Sequence, residues 1–98
     1  MKILLDLDDT IIIHDHICHD YWTFKSRVAE RGYDVTLWTL SHYGQPFAEL
    51  MNFNYLSKDY ATEPEADVLV DDSHEMYMGM CHVKKSYQSI HEFLLDNP

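Results

Sequence analysis

The sequence predicts an α/β domain built on a parallel sheet, and three observations carry that prediction. Residues 2–10 read Lys-Ile-Leu-Leu-Asp-Leu-Asp-Asp-Thr, an apolar run that ends in three carboxylates and a hydroxyl. Residues 66–72, Ala-Asp-Val-Leu-Val-Asp-Asp, repeat the design. Between them, a helical stripe of Tyr21, Phe24 and Val28 leads into the β-branched and aromatic run Val35-Thr36-Leu37-Trp38-Thr39, which completes a strand–helix–strand unit. Ile3, Leu4, Leu5 and Leu7 are too uniformly apolar for a half-exposed strand, so the first run is a central strand covered on both faces. Parallel sheets bind ligands at the carboxyl ends of their strands. Asp6 and Asp8 lie two apart, so in an extended chain their side chains leave on one side while Asp9 points elsewhere.

The chain has 98 residues, 46 % of them hydrophobic and 13 % aromatic, with no Pro, Gly or Ser-rich divider and no repeat. That is one domain with a single core. The formal charge is −10, and seven Lys and Arg cannot form the broad basic face that nonspecific nucleic-acid binding requires. Acids gathered at strand ends suit a divalent cation, and a plain solubility role accounts for the rest. Cys18 and Cys81 form no Cys-x-x-Cys pair and no disulfide framework, which fits a reducing compartment. The apolar start is broken by Asp within a few residues, so it reads as neither signal peptide nor membrane span, and a cytoplasmic location is expected.

Taken in order, residues 11–20 show no clean period and hold His14, His16, Cys18 and His19. Their spacing lacks the paired pattern of a zinc site, so a partly exposed segment is expected there. Asp20 is placed to cap the first helix and Gly32 to stop it. Tyr33-Asp34 turns into the second strand, which a right-handed crossover sets parallel to the first. Pro46 suits a first helical position, with Phe47, Leu50 and Met51 packing on the sheet, and residues 52–56 form an edge strand. Lys58 follows it and is readable either as a site residue or as a solvated surface lysine, with Lys84 and Lys85 as substitutes. After the turn Glu63-Pro64-Glu65 comes the fourth strand. Ser73 is expected to cap a short helix through Met78 that stops at Gly79, residues 80–83 to form the last strand, and Tyr87, Ile90 and Leu94 to stripe the final helix. His74, His82 and His91 read as packing or surface residues.

Four features stand in a fixed order: Asp6-x-Asp8-x-Thr10 after a buried strand, Thr39 at the end of the next, Lys58, and Asp71-Asp72-Ser73 after another buried strand. Together they resemble the motifs of the haloacid dehalogenase superfamily of phosphoryl-transfer enzymes, over residues 2–73. Residues 37–47 further resemble the small C-terminal-domain phosphatases, in which a Thr-x-Ser is followed by an aromatic, a small residue and a helix. The resemblance implies a three-layer Rossmann-like fold with five parallel strands in the order 5-4-1-2-3, a flap over the site at residues 11–20, and no cap domain, since neither interval that could hold one has room. It implies Asp6 as nucleophile and Asp8 as general acid and base. It implies Thr39, with Ser41 as the fallback, and Lys58 as phosphate-binding groups. Mg²⁺ would be held by the Asp6 carboxylate, the Asp8 backbone carbonyl and Asp71, with Asp72 orienting water on the ion. The implied activity is Mg²⁺-dependent hydrolysis of a phosphate monoester through an aspartyl phosphate. Two other classes stay open: a regulatory metal-binding protein without turnover, and a phosphatase acting on nucleotides or nucleic-acid ends. A capless site also implies a phosphorylated macromolecule or oligonucleotide end as substrate, with contacts from the flap at residues 11–22, or else a homo-oligomer closing over the flap. No membrane partner is expected from the hydropathy.

Overall fold

The computed structural model describes residues 1–59 and 61–98. Its strands are β1 (Lys2–Leu5), β2 (Ile12–Ile13), β3 (His16–Ile17), β4 (Asp34–Thr39), β5 (Asn54–Ser57), β6 (Val68–Val70) and β7 (Lys85–Tyr87). The helices are α1 (Tyr21–Arg31), α2 (Gly44–Met51), α3 (His74–Tyr77) and α4 (Ile90–Asp96), with a 3₁₀ turn at Met78–Met80. Five strands form one parallel sheet in the order β5-β4-β1-β6-β7. These labels differ from the expected 5-4-1-2-3 because the hairpin of β2 and β3 takes two numbers. Counted among themselves in chain order, the sheet strands stand 3-2-1-4-5, which is the expected sequence read from the other edge.

Burial on both faces explains why β1 shows no alternation. Ile3 and Leu5, with Val35, Leu37, Val68 and Val70, pack against Tyr21, Phe24 and Val28 of α1, Ala48 and Met51 of α2, and Ile90 and Phe93 of α4. Leu4, Trp38, Leu69 and Cys81 form a smaller core on the opposite face, under Leu56, Tyr77, Met80 and Val83. The chain moves outward from β1 through β4 to β5, then returns to the other side of β1 for β6 and β7. Right-handed connections running in opposite directions put α3 on the face opposite α1 and α2. The crevice between the diverging connections lies at the carboxyl end of β1.

Several local expectations need correction. Asp20 has helical dihedrals and makes no cap bond, whereas Gly32, at φ 63°, ends α1 as expected through its N–H to Ala29 O. Pro46 is the third residue of α2, which begins at Gly44. Leu50 is 78 % exposed, whereas Phe47 and Met51 pack on the core as expected, joined by Gly44 and Ala48. The edge strand lies at Asn54–Ser57, because Asn52 adopts the left-handed conformation (φ 60°) to end α2. Ser73 stands before α3 without a side-chain cap bond, and the chain continues through Gly79 in the 3₁₀ turn. Residues 80–83 are not a strand: His82 exchanges backbone bonds with Pro64 and Ala66 while Cys81 and Val83 cover the small core. The last strand is β7, which contains Tyr87, so α4 starts later, at Ile90. Ser89 caps it by accepting from the Glu92 N–H, and the Glu92 carboxylate accepts from the Gln88 N–H. Among the described residues no helix is long and apolar enough to cross a membrane.

Candidate functional site

The sheet fixes the acids at its carboxyl edge through their own backbones. The Asp6 N–H donates to Val70 O at 3.0 Å, and the Asp71 N–H to Tyr87 O at 3.0 Å, so each acid sits one step beyond its strand in sheet register. The chain then turns at once: the N–H groups of Ile11 and Ile12 donate to Leu7 O at 2.9 and 3.0 Å, and Asp9 takes φ 63°. This turn carries Thr10 back beside Asp6, where its hydroxyl lies 3.1 Å from Asp6 Oδ2 and accepts from the Asp72 N–H at 3.1 Å. One buried threonine therefore ties the first acid pair to the second.

A cavity of about 190 Å³ opens at this edge. Its walls include every residue singled out from the sequence: Asp6, Asp8, Thr39, Ser41, Lys58, Asp71 and Asp72. Asp9, expected from strand alternation to lie elsewhere, also lines it because the chain turns at φ 63° there, and Leu40, Ser73 and Tyr77 complete it. Asp6 and Asp71 are buried, while Asp8 and Asp72 are exposed. Lys58 is only 4 % exposed, so it is not a solvated surface lysine. Its Nζ bonds to Asp71 Oδ2, lies 3.3 Å from Asp6 Oδ1, and sits 3.6 Å from the ring centroid of Tyr77 and 5.1 Å from that of Trp38. Lys84 pairs with Asp67 and Lys85 with Asp96, and neither reaches the cavity.

Thr39 is held from two sides. Its Oγ1 accepts from the Ser41 N–H at 3.1 Å, and Ser41 Oγ in turn accepts from the Tyr43 N–H at 3.2 Å, which leaves both hydroxyl protons to donate elsewhere. Gly44 packs directly behind it: a Cβ there would lie 2.4 Å from Thr39 Cγ2 and 2.9 Å from Tyr55. That approach explains the small residue two positions before Pro46.

Burial raises Asp6 from its ordinary 3.8 to about 7, and the neighbouring Asp71 carboxylate adds to the rise against the pull of Lys58 and Thr10. Asp71 is also raised, chiefly by burial, with Lys58 opposing. One ammonium thus does not neutralise the pair. Asp6, Asp71 and Asp72 each offer an oxygen within 4.8 Å of the others. A set of carboxylate oxygens is of the kind that hard divalent cations prefer. The Asp8 carboxylate lies outside this triad.

The hairpin of β2 and β3 turns through His14 (φ 51°) and Asp15 (φ 64°), a two-residue connection of the left-handed kind that suits antiparallel strands. None of its residues lines the cavity. His14, His16, Cys18 and His19 form no metal-ligand group among the described residues. Burial raises the Cys18 thiol, which keeps it protonated. Sequence reasoning assigned no role to Thr10, Trp38 or Tyr77. Thr10 stood inside the first motif and could have been found there, whereas nothing in the sequence linked Tyr77 to Lys58. Comparison with protein-family models, curated proteins and solved structures finds no match to this chain.

Proposed function

We propose that this chain is a Mg²⁺-dependent phosphatase of the haloacid dehalogenase type, acting on a phosphate monoester through an aspartyl phosphate. The observation that carries the reading is the joining of Asp6, Lys58 and Asp71 in one buried cluster, with Asp8 exposed on the wall of the same cavity. An Asp6 oxygen attacks phosphorus in line as the bond to the ester oxygen breaks, and Asp8 gives its proton to the departing alkoxide. Asp8 then takes a proton from water, whose oxygen attacks the phosphoryl group, and the bond to Asp6 breaks to release inorganic phosphate. Lys58 and the hydroxyls of Thr39 and Ser41 bind the phosphoryl oxygens throughout. Mg²⁺, held by Asp6 and Asp71 with Asp72 beside them, would supply the charge neutralisation that lets a carboxylate approach a phosphate dianion.

A screen of activated aryl phosphates with and without Mg²⁺ tests this. Phosphate release should depend on the ion and fall by at least about 10³-fold in Asp6→Asn. Retained turnover in that variant contradicts the proposal. Absence of turnover by the wild-type protein on every ester would instead favour a metal-binding role without catalysis.

A further inference from the structure

Every lysine and arginine other than Lys58 lies off the cavity wall. Lys84 pairs with Asp67, whose carboxylate also accepts from the Lys2 N–H at the opposite end of the sheet. Lys25 lies 5.6 Å from the Phe53 ring centroid. Arg27 and Arg31 bond to backbone oxygens near the C-terminus, and Lys85 pairs with Asp96. Lys58 is therefore the single cationic side chain on a wall that carries Asp6, Asp8, Asp9, Asp71 and Asp72. Five acidic residues share that wall with one lysine, and counted at full ionisation an excess of two negative charges stays even after a divalent ion is added. The chain as a whole, at −10, gives no compensating field.

Lys58, the hydroxyls and the ion are all committed to the phosphoryl group itself. A second anionic group on the leaving moiety would meet only carboxylates. At the rim, Leu40 is 66 % exposed on the cavity wall, and Tyr43, 67 % exposed on the same loop, lies against His42 at 4.3 Å between ring centroids. That surface offers apolar and aromatic contact with one imidazole, and no lysine or arginine. We infer that the site takes phosphate monoesters of neutral or cationic alcohols and discriminates against esters whose leaving group carries further negative charge, nucleic-acid ends and nucleoside polyphosphates among them. This rests on the phosphatase reading and narrows its substrate class.

The test uses the full chain with Mg²⁺ and three phenyl phosphates, bearing a neutral, a carboxylate or a trimethylammonium substituent, with rates corrected for leaving-group acidity. At low ionic strength kcat/KM should fall about three- to tenfold from the neutral to the carboxylate ester and rise by a similar factor for the trimethylammonium ester. Both gaps should shrink as salt is added. Asp9→Asn, at a left-handed position that Asn adopts readily, should narrow the gaps. A carboxylate ester turned over as well as the neutral one at low salt overturns the inference and leaves the phosphatase reading standing. No turnover on any of the three removes both.

Discussion

Asp6→Asn should stabilise the metal-free fold at pH 8 while abolishing activity. Asp6 is 7 % exposed, and its folded-state pKa is raised from 3.8 to about 7. A raised carboxylate favours the fold when protonated, so this contribution is fully present below pH 4 and is lost as pH rises through about 7. Three units at about 1.36 kcal/mol each set an upper bound of roughly 4 kcal/mol for holding the charge at pH 8. The amide removes that cost but weakens the charge-assisted contacts from Lys58 and Thr10, by about 1–2 kcal/mol together. A net gain of about 2 kcal/mol follows, which at 4–8 °C per kcal/mol for a domain of this size raises Tm by roughly 8–16 °C. Thermal and urea unfolding in EDTA, at pH 5 and pH 8, measure it. The gain should be largest at pH 8 and nearly absent at pH 5. A variant less stable than wild type at pH 8, or an equal effect at both pH values, would refute the electrostatic reasoning.

Other expectations follow from the same geometry. On the proposed reading Mg²⁺ competes with the proton that burial favours on Asp6, so it should raise the wild-type Tm at pH 8, much less at pH 5.5, and hardly at all in Asp6→Asn; calorimetry with and without the ion checks this. Tyr77→Leu removes the ring from the Lys58 ammonium and should lower kcat/KM about three- to thirtyfold with a shifted pH profile, while Tyr77→Phe keeps the ring and the rate. Gly44→Ala drives a methyl into Thr39 and Tyr55 and should cost about 1–3 kcal/mol in urea unfolding, with KM raised because Thr39 is displaced.

Most of the sheet was legible because a strand buried on both faces leaves an uninterrupted apolar signal, as in β1 and β6. The acids at their ends were legible for the same reason: a charge that stops such a run marks the carboxyl edge. Lys58 was ambiguous, since Ser57-Lys58-Asp59 has the composition of any polar loop and its burial depends on Trp38 and Tyr77, neither of them a neighbour in the chain. Residues 80–83 misled because apolar side chains that cover a small core from a loop have the composition of a strand without its pairing. In α2, Phe47 and Met51 were legible but Leu50 was misplaced, because the packed stripe is completed by Gly44 and Ala48, small residues that carry little hydrophobic signal, whereas Leu50 is large and faces solvent.

The central claim is that Asp6 becomes phosphorylated, and acid-quenched peptide mass spectrometry during turnover of an aryl phosphate tests it most directly. Asp8→Asn, which should slow hydrolysis of the intermediate more than its formation, is the variant in which to look. The account predicts one phosphoryl group on the peptide containing Asp6, formed only with Mg²⁺ and absent from Asp6→Asn. A phosphoryl group on another residue, or Mg²⁺-dependent turnover that persists in Asp6→Asn, would contradict it.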